Sequence, residues 1–115
     1  MTSQTIEIRA IWKERPSWFA SGMMQWVAET VGQDGSQQVA TSPAFPLDSK
    51  LVVATEASDK SPYIVPDLGQ MDDKKRRVVE EMLADFVRSL ERQGWVQTGQ
   101  GSDWFSYQFQ RGVSQ

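Results

Sequence analysis

The sequence predicts an α+β domain of two layers, an antiparallel sheet of about five strands with one long helix packed on one face, in the order β-β-β-(β)-α-β-β. Three observations predict it. Residues 5–14 place Ile6, Ile8, Ala10 and Trp12 on one side and Glu7, Arg9 and Lys13 on the other, the period-two pattern of a half-buried strand. Val79, Met82, Leu83, Phe86, Val87 and Leu90 recur at helical spacing, which marks one apolar stripe on a long helix. Beyond that stripe, Gly94-Trp95 stops the helix and the chain closes in an aromatic hairpin ending Trp104-Phe105-Ser106-Tyr107-Gln108-Phe109. At 115 residues the chain has the size of one domain, 1–115.

The elements follow in order. The first strand is expected over Thr5 to Glu14, with Ile11 the one apolar residue on its polar face, and Arg15-Pro16-Ser17 ends it because proline cannot donate to a ladder. A second strand is read from Trp18 to Val31, interrupted by a bulge at Gly22. Its later half places Met24, Trp26, Ala28 and Thr30 on one face and Met23, Gln25, Val27, Glu29 and Val31 on the other. Gly32-Gln33-Asp34-Gly35-Ser36 is turn chemistry, and Gln37 to Thr41 returns as a third strand.

Ser42-Pro43-Ala44-Phe45-Pro46 cannot form a regular central strand, and Leu51 to Glu56 is a short β-prone segment. Residues 57–71, with Pro62, Pro66 and Gly69 around Tyr63-Ile64-Val65, are expected as a long mobile loop, or as a loop pinned to the core or pairing as an edge strand. The helix is expected over Asp73 to Gln93, capped by Asp72 or Asp73 and stopped by Gly94. Trp95 to Thr98, a turn over Gly99 to Asp103, and Trp104 to Arg111 complete the sheet. On that last strand Phe105, Tyr107 and Phe109 are expected to face the helix and Trp104 to point the other way. Residues 1–4 and 112–115 are expected to fray.

The segment Leu90-Glu91-Arg92-Gln93-Gly94-Trp95, through Gly99-Gln100-Gly101 to Trp104-Phe105-Ser106-Tyr107 and Phe109-Gln110-Arg111, resembles the close of a group of small uncharacterised bacterial proteins. In that group a helix ends in Gly-Trp and a glycine-containing turn leads to an aromatic last strand ending in Arg. The resemblance covers the last third of the chain. It implies the fold of that third and no activity.

Composition narrows function. The chain has no His and no Cys, which removes thiol chemistry, most zinc sites and Ser-His-Asp or Cys-His catalysis. No catalytic motif, metal site or cofactor site is read from the remaining residues, so the chain is expected not to be an enzyme. No apolar run approaches the roughly 20 residues that span a bilayer, and the first residues lack signal-peptide character, so a cytoplasmic protein with no membrane partner is expected. Residues 1–71 carry five Lys or Arg against eight Asp or Glu, and residues 72–115 carry seven against seven, giving the net charge of −3. That balance disfavours general nucleic-acid binding, which depends on neutralising phosphates.

Two constellations remain as site candidates. Apolar side chains occur on both faces of the second strand, yet one helix covers only one face. Trp26, Met24, Trp104 and Tyr63 are therefore read as a surface for a protein or small-molecule partner, a second copy of the chain included. Lys74, Lys75, Arg76 and Arg77 oppose the dipole at the helix N-terminus, where an anion or acidic partner is the functional reading and a solvated first turn the structural one. The expected function is a small non-catalytic binding or protein-interaction module using exposed sheet aromatics and the basic helix start. The alternatives are an enzyme with carboxylates such as Glu7, Glu29 or Asp103 in an aromatic cleft, and a nucleic-acid-binding domain acting through Lys74 to Arg77.

Overall fold

Strand β1 spans Ser3–Glu14 and β2 spans Gly22–Thr30, and they pair antiparallel from Ile6↔Thr30 to Glu14↔Met23. The computed structural model describes residues 3–17, 20–32, 35–54 and 62–112. The strand start expected at Trp18, the Asp34 turn position, loop residues 57–61 and the terminal positions 1–2 and 113–115 lie outside these. The remaining elements are β3 (Gln38–Thr41), β4 (Phe45–Leu47), β5 (Val52–Ala54), β6 (Tyr63–Pro66), helix α1 (Asp73–Arg92), β7 (Val96–Gln100) and β8 (Tyr107–Gly112).

The molecule is α+β, and among the described residues it has one α-helix and an antiparallel sheet of eight strands where the sequence predicts about five. The additional strands are short and come from segments whose prolines mask their pairing. Phe45–Leu47 pairs with Gly22–Met24 across Pro46, and Tyr63–Pro66 sits between β1 and β5 rather than in a loop. Both central strands have divided outer edges. The free edge of β1 pairs with β8 over Ser3–Glu7 and with β6 at Ala10 and Ile11. The free edge of β2 pairs with β4 at its start and with β3 over Val27–Glu29.

Alternation in the long strands fixes the core. Ile6, Ile8, Ala10, Met24, Trp26 and Ala28 point to the helix side and are fully buried or nearly so. Val79, Leu83, Phe86 and Leu90 of α1 meet them, along with Trp95, Phe105 and Phe109. Burying such side chains contributes roughly 1.5–3 kcal/mol each, so this layer contact dominates stability.

The helix ends are built as the sequence suggests. Asp72 is the N-cap and its carboxylate accepts from the Lys75 backbone N–H at 2.7 Å. At the other end Gly94 adopts φ +94°, its N–H reaches Glu91 O and the Trp95 N–H reaches Leu90 O. This pair of bonds is the Schellman arrangement, and it turns the chain sharply enough to start β7 at Val96.

Two sequence expectations shift here. The bulge expected at Gly22 falls on β1 instead, where the register moves between Trp12 and Glu14. Gly22 is required for space: a Cβ there would lie 2.7 Å from Trp12 Cε3 and 2.9 Å from Pro16 Cδ. The last strand begins at Tyr107 rather than Trp104. Gly22→Ala is expected to lower stability by about 2 kcal/mol through this clash, read as a fall in the denaturant midpoint. Gly112→Ala, with nothing within 4 Å of the added atom, should stay within about 0.5 kcal/mol of the parent.

Candidate functional site

The aromatic candidates divide between two places. Met24 and Trp26 are 0% exposed beneath α1, so they offer no surface to a partner. The sequence cannot show this, because either face of β2 is apolar enough to be the covered one. The helix took the face with the larger side chains. The Trp26 indole N–H has no hydrogen-bond partner among the described residues, but the ring packs against Phe105 at 5.1 Å and meets Trp104 edge-on at 5.8 Å.

Trp104 is half-buried and lies on the helix side, not on the opposite face. It sits in the turn before β8, where strand alternation no longer dictates its direction. Its indole N–H donates to Pro66 O at 2.9 Å, and its ring stands nearly perpendicular to Phe105 at 5.3 Å. One hydrogen bond and two edge contacts thus fix the ring. Trp104 borders a groove of about 460 Å³ between α1 and the β7–β8 hairpin, lined also by Leu68, Leu83, Ala84, Val87 and Tyr107, with Glu80, Arg88 and Gln97 among its polar lining. Arg88 is ion-paired with Asp85 one turn away on α1. The size and mixed lining fit a binding groove.

The sheet face away from the helix carries a polar network. Glu7 and Glu29 oppose each other in the β1–β2 register, and Gln108 opposes Glu7 from β8. Both residues are buried, at 8% and 7% exposed, with the Glu7 side chain itself at 11%. Like charges in direct cross-strand register are unfavourable, and donors compensate. Arg9 lies 3.2 Å from Glu7, Gln108 Nε2 donates to Glu7 at 2.7 Å, and the Tyr63 hydroxyl donates to Glu29 at 2.8 Å. The Arg9 guanidinium also sits 5.8 Å from the Tyr63 ring centroid. Tyr63, Arg9 and Gln108 thus lie across the face whose cover the sequence leaves open. The network draws together Glu7 and Glu29 but not Asp103, which sits in the turn before β8, and among the described residues Tyr63 is its one aromatic ring.

Gly101 abuts the same network. A Cβ there would lie 2.5 Å from Glu7 Oε1 and 3.1 Å from Ser106 Cβ. One turn, 101–106, therefore touches the Glu7 carboxylate through Gly101 and the groove through Trp104. Gly101 is legible in the sequence only as part of the Gly-Gln-Gly turn, because its approach to Glu7 joins residues 94 positions apart.

The basic helix start is partly absorbed by the fold. Lys75 Nζ donates to Pro46 O at 3.2 Å, and Arg76 Nε donates to Leu68 O at 3.3 Å. Arg76 also lies 4.0 Å from Asp73. The side chains of Lys74 and Arg77 make no hydrogen bond or ion pair among the described residues, and both residues are exposed. With Asp72 already occupying the Lys75 N–H, the free helix-end donors available to an anion are reduced.

Burial raises the Tyr63 phenol above its ordinary value, its hydrogen bond to Glu29 and the Glu29 charge add to this, and Ser36 and Arg9 pull it back. The neutral phenol is thus favoured in the folded state, so its contribution is complete below pH about 10 and is lost as pH rises through the raised folded value. Two observations check this. In a Tyr107→Phe background, which leaves Tyr63 as the one tyrosine, absorbance at about 295 nm should report a folded-state titration above that of free tyrosine. Tyr63→Phe should lose about 1 kcal/mol at neutral pH and show a shallower fall in stability under alkaline conditions than the parent. Equal alkaline falls would contradict the assignment.

Comparison with known proteins gives no match to a family model, to a curated protein or to a solved structure, so the functional reading rests on this geometry.

Proposed function

We propose that the chain is a small non-catalytic binding module whose ligand site is the groove between α1 and the β7–β8 hairpin. The observation that carries this reading is the state of Trp104. Its ring is held by Pro66, Trp26 and Phe105, yet it remains half-buried and lines the groove. A pre-positioned aromatic side chain loses little conformational freedom on binding, which is why such residues serve as anchors at interfaces. Leu68, Leu83, Val87 and Tyr107 extend the apolar lining, and among the described residues no helix is long and apolar enough to cross a membrane.

The two rival readings have weaker support. Glu7 and Glu29 are engaged by Arg9, Gln108 and Tyr63, which makes them a structural network first and acid-base groups only at the expense of those bonds. Lys75 and Arg76 are likewise spent on the backbone of neighbouring segments, which leaves Lys74 and Arg77 as a small electrostatic footprint for a nucleic acid.

Titration of the ¹⁵N-labelled chain with small aromatic and branched aliphatic fragments tests the module. Amide shifts should concentrate at Leu83, Val87, Gln97 and Trp104. Trp104→Ala should weaken binding about fivefold, the equivalent of about 1 kcal/mol of aromatic contact. Val87→Lys, which alters the groove at a residue that is only half-buried, should weaken it without unfolding the chain. Shifts centred elsewhere, or fragments indifferent to both substitutions, would overturn the groove as the site.

A further inference from the structure

The groove adjoins an open strand edge. Among the described residues strand β7 pairs only with β8, so its other edge has no strand partner there, and Gln97 of β7 lines the groove itself. The strand, Val-Gln-Thr-Gly-Gln, carries no charge and no proline, and its register shift between Gln97 and Gly99 places one bulge at Thr98. Natural edges are usually guarded by charge, proline, shortness or bulges. Here shortness and the bulge are the guards, which limits pairing to a short segment.

Building on the groove reading, we infer that the occupant is an extended peptide segment that adds to the free edge of β7 as an antiparallel strand, with alternate side chains turned into the groove. Its chemistry follows from the charges beside it. The link 93–95 folds β7 back along α1, so Arg88 stands toward the Gln97 end and Glu80 toward the Gln100 end. Eight residues of helix separate the two charges by about 12 Å. An extended chain covers that span in about four residues, and residues i, i+2 and i+4 share a face. An antiparallel addition runs from the Glu80 end to the Arg88 end. The complementary segment is therefore basic at i, apolar at i+2 and acidic at i+4.

The opposite face of the added strand also finds an apolar neighbour. Val96 is 64% exposed and, one residue before Gln97, projects to the side away from the groove. A β-branched residue at i+3 meets it. The main chain supplies the affinity common to any such segment, and the side chains select among them.

A ten-residue peptide containing Lys-Thr-Leu-Val-Glu tests this by titration into the ¹⁵N-labelled full chain. The expected result is a shift of the β7 amides together with groove amides. Methylating the peptide nitrogens on the pairing edge should weaken binding about fivefold for each bond lost, from roughly 1 kcal/mol per hydrogen bond. Exchanging Lys and Glu in the peptide should weaken it about threefold, as for an exposed ion pair, and the double variant Glu80→Arg, Arg88→Glu should reverse that preference. Binding that survives full methylation would overturn strand addition. So would β7 shifts that grow with protein concentration alone, which would identify a second copy at the edge. No peptide binding while fragments still occupy the groove would overturn the peptide and leave the module standing; failure of both would remove both.

Discussion

The ladder between β1 and β2 places every other part of the molecule. It runs from Ile6↔Thr30 to Glu14↔Met23, and its alternation sends Ile6, Ile8, Met24 and Trp26 to one side and Glu7, Arg9, Val27 and Glu29 to the other. A slip of one residue would exchange the two sets, burying charge under the helix and exposing the core. Both outer edges of this pair are divided, so four short strands and a hairpin take their positions from it. The apolar stripe of α1 then has one surface on which to pack, and burial there fixes the layer arrangement.

Division of the β1 edge has a local consequence. Strand β8 leaves β1 at Glu7, and β6 joins it at Ala10. The 101–106 turn stands at this fork, bonded to Pro66 through the Trp104 indole and pressed against Glu7 at Gly101. One short segment thus connects the polar face of the sheet to the groove on the other side. Its close approach depends on a missing side chain at Gly101 and a long one at Trp104, so the two residues make one structural unit with separate contacts.

Much of the fold was legible because its strongest signals are local. Periodicity located β1, the later half of β2 and α1; Asp72 and Gly94 located the helix ends. Strand number was harder to read. Pairing of Phe45–Leu47 and Tyr63–Pro66 depends on partners ten or more residues away, and prolines at Pro46 and Pro66 imitate loop chemistry. Such strands are stabilised by the edge they join more than by their own propensity. The site was legible in part. Alternation along the last strand predicts that Trp104 faces away from the helix, but the residue lies in the turn before β8, where alternation does not apply, and its ring packs on the helix side. Tyr63 was singled out without its role, because its link to Glu29 spans 34 positions. Lys75 and Arg76 form a conspicuous charge run in sequence, and only packing assigns them to Pro46 and Leu68.

The sequence by itself determined the class of the molecule and the character of its longest elements, because side-chain period and capping residues act over a few neighbouring positions. It also determined which chemistry is missing from the chain, through the absence of His and Cys. Tertiary structure alone decided which apolar face of β2 the helix would take, that Glu7 and Glu29 would meet with donors around them, and that α1 would leave a groove over the β7–β8 hairpin. Those outcomes turn on the width of one helix against a wider sheet and on contacts between distant residues, and no local pattern encodes either.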